Sequence, residues 1–519
     1  MEYIRKDTEG ERELDYKPVT GVWEITMGCN MRCKHCGSAC RDPLPDELTT
    51  DEALRLCDAI GDLGLSWITL SGGEPLIRKD WALLAERLSS NHVTPNIITN
   101  GWILDEATLD QALDSGVGTF AISLDGLKET HDFIRREGSY DRIINALELM
   151  KGKGMTSGVI TTLNQRNLGE LERLYEVLME KGVKVWQLQI GLPMGAFVDK
   201  GNLLLQPEQV DAAIDFIYEH IGDNHISIYP ADCLGYYNVK EVAARTKVHG
   251  SQDLVLWKGC NAGKRSLGIL HNGDILGCTS IRDQQYIEGN IRNTPLREIW
   301  ESETSFKWSR KLKKSDLGGL CGKCVYGETC LGGCPNTRLT MNGDLYSENN
   351  YCSYNVAMKK SIRKMREIDD PGELARLGVK FAGEGYFQLA HIVLGRAIEL
   401  ETDNAEILDN YGYVCYMLGN YHDSLIANEA ALRINADSVY ANKGMGLCLC
   451  KLSKREEGIE YLRKAARMTT ASYMEPYHDL IVTLIENGNI TEASCVFAEA
   501  ESKCSGFTAR NQRLHDLLC

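Results

Sequence analysis

The 519-residue sequence predicts an α/β core, then a small cysteine-rich domain, then an all-α repeat array. Three observations carry this. Apolar, β-rich runs alternate with amphipathic stretches from 22 to 191. Cysteines and glycines crowd together from 260 to 352, and small residues recur every 34 positions from 372 to about 507.

Residues 1–20 read as an N-terminal extension. The core, 21–191, holds six βα units with strands expected at 22–27, 67–71, 96–99, 119–124, 158–163 and 185–190. Helices are expected at 51–63 and 141–151, and Gly64, Gly116 and Gly182 stand where helices stop. In parallel α/β sheets ligands gather at the carboxyl ends of the strands. Residues 192–255 read as a bridge of helix and loop without a functional signature, and 256–360 as the cysteine-rich domain. In the array, 371–507, Ala397, Ala431 and Ala465 are 34 apart, as are Gly378, Gly412 and Gly446, with Leu418 and Leu452 in the same register. A fourth repeat, shifted by one residue, contains Tyr477, Leu480, Gly488, Ala493 and Ala500.

Composition narrows the class. Hydrophobic residues make up 43% and charged residues 25%, as in ordinary soluble protein, and no apolar run reaches membrane-spanning length. The charged N-terminus lacks a signal-peptide core, so a cytoplasmic location is expected. A formal net charge of −16 disfavours nucleic acid and anionic lipid, whose binding needs clustered cations. In a long chain without a signal, 19 cysteines read as metal ligands plus packed thiols.

Cys29, Cys33 and Cys36 have the C-x3-C-x2-C spacing that serves three irons of a 4Fe-4S cubane and leaves one iron open. A zinc knuckle is the alternative, but zinc sites favour four ligands in paired hooks. The stretch resembles the signature of the radical S-adenosylmethionine (radical SAM) superfamily. The resemblance implies a partial, TIM-like barrel of six βα units, S-adenosylmethionine chelated at the open iron, and a 5′-deoxyadenosyl radical formed by one-electron reduction. It also implies site residues. Gly72, Gly73, Glu74 and Pro75 would present backbone groups to the methionine amino group. Ser123 and Arg135 would hold ribose and carboxylate, and Thr99 and Asn100 would reach the ribose. His35 would pack on adenine or be a satisfied buried histidine, and Arg135 is also readable as an ion-pair partner. Gln187, Gln189 and Met194 close the sixth strand near the expected adenine.

The later cysteines are ordered Cys260, Cys278, Cys321-x2-Cys324-x5-Cys330-x3-Cys334 and Cys352, with Gly273 between the first two. This order resembles the SPASM domain of radical SAM enzymes; a zinc ribbon would explain only the C-x2-C pair. The resemblance implies one auxiliary 4Fe-4S cluster on Cys321, Cys324, Cys330 and Cys352, and another on Cys260, Cys278 and Cys334. Positions 261 to 277 contain no further cysteine. The second set therefore keeps an open iron or takes a remote ligand such as Cys233. Thr279 follows Cys278, where sulfatase-maturing relatives carry an aspartate thought to act as base. Cys40, Cys57, Cys415, Cys448, Cys450, Cys495, Cys504 and Cys519 read as packed thiols.

The 34-residue period resembles tetratricopeptide (TPR) repeats, with Leu374, Leu377, Gly378, Phe381, Ala390, Leu394 and Ala397 on consensus positions. Together the resemblances imply a peptide maturase that uses three 4Fe-4S clusters and S-adenosylmethionine. Its substrate would be a ribosomally made precursor peptide, oxidised to a thioether or carbon-carbon crosslink or cut by backbone excision. Reducing electrons would come from a donor such as flavodoxin or ferredoxin. Only twenty-eight residues precede Cys29, too few for the N-terminal peptide-recognition domain of many such enzymes. A separate recognition protein, or the repeats, would then present the leader. Rival readings are a SPASM enzyme acting on a sulfatase-type protein, a tetrapyrrole or another small molecule, and an interaction scaffold whose clusters are structural or redox-sensing. No catalytic residue is designated.

Overall fold

The expected strands are rich in apolar and β-branched residues, and pairing them side by side builds a parallel sheet. The structure is a computed structural model that describes residues 16–222, 225–251, 253–504 and 506–518. The expected extension, 1–20, falls mostly outside the described residues. The chain separates into two units, Met1–Val356 and Ala357–Cys519.

In the first unit all six expected strands form: β1 (Thr20–Thr26), β2 (Trp67–Gly72), β3 (Thr94–Thr99), β4 (Thr119–Ser123), β5 (Ser157–Leu163) and β6 (Val185–Ile190). They lie in sequence order and are parallel throughout. Trp23, Ile25, Ile68, Leu70, Ile97, Phe120, Ile122 and Trp186 are buried among them, each contributing on the order of 1.5–3 kcal/mol. Gly64, Gly116 and Gly182 take positive φ of 88°, 77° and 76°, the left-handed stops expected of them.

The sheet also extends at both edges beyond the six units. β7 (Ser227–Pro230) pairs parallel to β6, so the expected bridge contributes a strand. On the other side β8 (Ser266–Ile269) runs parallel to β1, followed by antiparallel β9 (Asp274–Leu276) and β10 (Gly289–Asn290). The cysteine-rich region is thus continuous with the core sheet. β3 starts two residues earlier than expected and includes Pro95; lacking a donor, proline is tolerated near a strand's start.

The second unit is helical. Its pairs start at Pro371 and Phe387, Ala405 and Tyr421, Val439 and Arg455, and Glu475 and Ile490. The first three pairs keep the 34-residue period; the fourth is displaced by two residues in its first helix and one in its second. A methyl on Gly378 would stand 2.5 Å from Leu394, and one on Gly446 2.7 Å from the Gly458 carbonyl and from Leu462. Glycine is thus needed where the helices of a pair approach, and Ala397, Ala431, Ala465 and Ala500 are fully buried beside them. Among the described residues no helix is long and apolar enough to cross a membrane.

Candidate functional site

The loop after β1 carries Cys29, Cys33 and Cys36 and is pinned from several sides. Glu47 accepts the Met27 N–H at 2.7 Å and the Thr26 hydroxyl at 3.0 Å, and the Cys29 N–H reaches the Arg41 carbonyl at 2.7 Å. Lys34 N–H bonds the Ile134 carbonyl at 2.8 Å, and Ala196 N–H bonds the Cys36 carbonyl at 2.9 Å. Gly195, with φ of 57°, lies so close that a methyl there would stand 2.4 Å from the Gly37 carbonyl. The Pro-Met-Gly turn after β6 therefore braces the cysteine loop. Met194 packs on Gly37, and its sulfur lies 3.7 Å from Asn336 Nδ2. Cys40, expected to be a packed thiol, is buried and hydrogen-bonds Cys36, which lowers the Cys36 pKa.

Beneath this loop Asp125, fully buried after β4, ties three elements together. Its Oδ2 is 2.7 Å from His35 Nε2 and bonds Arg135 Nε; its Oδ1 accepts the Thr162 N–H at 2.7 Å. Burial works to raise its pKa, but Arg135 and His35 outweigh it and hold the carboxyl well below the usual range. Arg135 also turns Nη1 toward Cys33 Sγ, at 4.0 Å. His131, fully buried, accepts the Asp125 N–H at Nδ1, and burial followed by Arg135 lowers its pKa to about 4, consistent with an unprotonated acceptor.

Two of the expected site residues already have protein partners. The His35 side chain, 6% exposed, is committed through Nε2 to Asp125 and meets Phe197 edge-on, the surroundings of a satisfied buried histidine. Thr99, 1% exposed, donates its hydroxyl to Glu74 at 2.8 Å and accepts the Gly101 N–H at 3.0 Å.

The Gly72-Gly73-Glu74-Pro75 turn lies against the cysteine loop. Methyls on Gly72 and Gly73 would stand 2.2 Å from the Thr26 carbonyl and 2.0 Å from the Gly28 carbonyl. The Gly73 and Glu74 N–H groups bond those same carbonyls, each at 2.8 Å. The Glu74 side chain is fully buried, accepts from Leu76, Asn100 and Thr99, and is pushed by burial to a pKa of about 7 against those hydrogen bonds. It orients Asn100, whose Nδ2 lies 3.8 Å from Cys29 Sγ and 2.7 Å from Asn30 Oδ1. Pro75 begins the short turn that follows. Ser123 ends β4 half-buried; Gln189 donates to Thr162 Oγ1 at 3.1 Å, and Gln187 is half-buried on β6.

Several participants were not singled out from the sequence. Glu24, 4% exposed on β1, pairs with Arg282, which also bonds the Ser38 hydroxyl beside Cys36; Glu24 Oε2 and Arg282 Nε have no partner. A charged residue inside an apolar strand was the available signal. Around the cysteine loop runs a basic and aromatic rim. Arg136 and Arg142 lie 3.8 and 4.2 Å from the Trp102 ring, and Lys34 and Arg166 lie 4.0 and 4.1 Å from the exposed Phe133 ring. Arg136 also donates to the Asn30 carbonyl at 2.9 Å.

The later cysteines fall into two sets. Cys321, Cys324, Cys330 and Cys352 line one small pocket, the grouping implied by the resemblance. Cys321 Sγ accepts the Asn349 N–H and Asn355 Nδ2, both at 3.4 Å. Cys260, Cys278 and Cys334 interact electrostatically with one another. Arg338, 1% exposed, acts on Cys321, Cys334 and Cys260, and its Nε and Nη1 have no hydrogen-bond partner. A buried guanidinium without acceptors calls for negative charge beside it, and thiolate-ligated iron-sulfur clusters fit that demand. Arg135 and Asn100, aimed at Cys33 and Cys29, fit the first site in the same way.

The sequence pattern of the Radical SAM superfamily matches residues 23–178, and that of the SPASM iron-sulfur cluster-binding domain matches 260–325. The chain is 30% identical over 349 residues to an AdoMet-dependent heme synthase of Methanosarcina barkeri, covering 65% of this chain and 97% of that protein. It is 27% identical over 330 residues to the mycofactocin maturase MftC of Mycolicibacterium smegmatis, covering 62% and 79%. Streptococcus suis SuiB, solved with S-adenosylmethionine and with its precursor peptide SuiA, shares the fold; with S-adenosylmethionine bound the TM-score is 0.52, with 16% identity and 65% and 78% coverage. With these matches, and with its three cysteines held at the carboxyl end of β1, the chain belongs to the radical SAM superfamily and carries a SPASM domain.

Proposed function

We propose that the enzyme oxidises a ribosomally made precursor peptide, using three 4Fe-4S clusters and S-adenosylmethionine. When bound, these groups supply a 5′-deoxyadenosyl radical that abstracts hydrogen, and acceptors for the electron left on the substrate. Cys29, Cys33 and Cys36 would hold the first cluster, with Arg135 and Asn100 set against its sulfurs. Ser123 and the Gly72–Gly73 turn stand at strand ends, where the adenosyl and methionyl groups would lie. Cys321, Cys324, Cys330 and Cys352 would hold one auxiliary cluster, and Cys260, Cys278 and Cys334 the other.

The observation that carries the peptide assignment is the helical second unit with its 34-residue period, which we read as TPR repeats. Such arrays bind peptide segments. Tyr413, Ile426 and Tyr440, exposed at 48%, 64% and 59%, give it apolar surface for that purpose. The maturase MftC and the SuiB–SuiA complex support the reading. In it the repeats, or a separate recognition protein, present the leader. The rim of exposed Arg136, Arg142 and Arg166 with half-buried Lys34, in a chain of charge −16, suits an acidic electron donor such as flavodoxin or ferredoxin.

The heme synthase relatives favour a second reading, in which the substrate is a tetrapyrrole. Mass spectrometry after anaerobic reconstitution separates the two. With reductant and S-adenosylmethionine, a peptide encoded near the gene should lose two hydrogens on crosslinking, or a residue-sized fragment on excision. An altered iron porphyrin with every peptide unchanged would establish the second reading instead.

A further inference from the structure

We propose that Cys233 is the fourth ligand of the cluster on Cys260, Cys278 and Cys334, so that this auxiliary cluster has no iron open to substrate. The inference rests on the reading that those three cysteines hold a cluster.

Cys233 lies 27 residues before Cys260, in the turn that follows β7. That turn is fastened to both auxiliary cysteine sets. Tyr236 Oη accepts the Cys334 N–H at 2.9 Å and donates to the Asp232 carbonyl, and a methyl on Gly333 would stand 2.6 Å from the Tyr236 ring. Gly235 forms a β-bridge with Cys352, and Tyr237 stacks on Tyr326 at 4.0 Å and 9°. Tyr236 and Tyr237 hold φ of 90° and 55°, conformations that side-chain-bearing residues rarely adopt and that these contacts enforce. The thiol so placed interacts electrostatically with Cys334, which interacts with Cys278, and Cys260 interacts with both.

Hydrogen bonding distinguishes Cys233 from three of the packed thiols. Its sulfur accepts the Ile190 N–H at 3.4 Å, as Cys260 accepts that of Ala262, Cys29 that of Met31 and Cys321 that of Asn349, each at 3.4 Å. Cys57, Cys448 and Cys450 do the reverse and donate, to the Leu84 carbonyl, the Ser424 hydroxyl and the Arg455 carbonyl. Amide N–H groups directed at sulfur suit a thiolate bound to iron. On binding, the Cys233 thiol loses its proton to solvent and its sulfur forms the Fe–S bond. The unpartnered guanidinium nitrogens of Arg338 beside Cys334 and Cys260 supply positive charge for the resulting anionic cluster. A cluster closed in this way relays electrons and does not chelate substrate.

The test uses the full chain with Cys29, Cys33 and Cys36 replaced by alanine, reconstituted anaerobically and read by iron content and electron paramagnetic resonance. About eight irons per chain should remain. Mild oxidation should give no 3Fe-4S signal, since that signal arises where an iron lacks a protein ligand. Adding Cys233→Ala should produce about one 3Fe-4S signal per chain. Adding Cys57→Ala instead should produce none. A 3Fe-4S signal with Cys233 intact would overturn the assignment, whether or not the Cys233 variant folds. So would a Cys233→Ala spectrum identical to its parent. About four irons in the parent would instead remove the auxiliary cluster reading beneath it.

Discussion

Replacing Asp125 by asparagine should destabilise the first unit by about 3–5 kcal/mol, the cost of leaving a buried charge without its partner. The figure follows from its contacts. If the amide oxygen keeps the Thr162 N–H, the amide nitrogen faces Arg135 Nε and the His35 ring, replacing acceptance with repulsion. Arg135, 10% exposed in its side chain, then loses its carboxylate partner. Because Asp125 binds His35, between Cys33 and Cys36, the same change should loosen the cysteine loop and lower the iron it retains. The assay is anaerobic urea unfolding of wild type, Asp125→Asn, Arg135→Met and the double variant, with iron content measured on each. Removing both charges should recover at least about 1.5 kcal/mol relative to the sum of the single losses. The carboxyl's pKa is depressed in the folded state, so its contribution is complete above the unfolded value near 4 and is lost as pH falls further. Asp125→Asn should therefore flatten the acid side of the stability profile. A loss under about 1 kcal/mol with additive double-variant energies would refute the reasoning.

Three further outcomes are expected. Glu74 has its folded pKa raised to about 7, so stability should fall by up to about 3 kcal/mol as pH rises from 4.5 to 7, and Glu74→Gln should abolish that slope in urea midpoints. Gly195→Ala forces a methyl against the Gly37 and Cys36 carbonyls at positive φ, costing about 1–3 kcal/mol; iron analysis should show loss from the Cys29, Cys33 and Cys36 site before the auxiliary sites. Reversing Arg136 and Arg142 to glutamate should slow stopped-flow reduction by an acidic flavodoxin about tenfold at low salt, leave dithionite reduction unchanged, and lose its effect at about 1 M salt.

Much of the framework was legible because it is set by local pattern. Apolar, β-rich runs alternating with amphipathic stretches marked all six central strands, helix-stopping glycines marked their boundaries, and a fixed period of small residues marked the paired helices. The edge strands β7 to β10 are two to four residues long, too short for periodicity to register, and Pro95 hid the start of β3. Cysteine spacing marked the three groups of thiols, since spacing is a property of the chain. What their neighbours do is not. His35, readable as an adenine platform or as a satisfied buried histidine, and Thr99, expected to reach a ribose, each bond a carboxylate distant in sequence, Asp125 and Glu74. Arg338 and Glu24 gain meaning only from what surrounds them in the folded unit. Cys233 was visible as a thiol, yet only the turn around Tyr236 brings it to Cys334.

The central claim, hydrogen abstraction from a peptide, is tested most directly by isotope transfer. The reconstituted enzyme is given S-adenosylmethionine, reductant and a precursor peptide deuterated at its carbon-bound positions, and the 5′-deoxyadenosine formed is weighed by mass spectrometry. The account predicts 5′-deoxyadenosine carrying one deuterium, formed alongside oxidised peptide. Unlabelled 5′-deoxyadenosine with the peptide intact would contradict it.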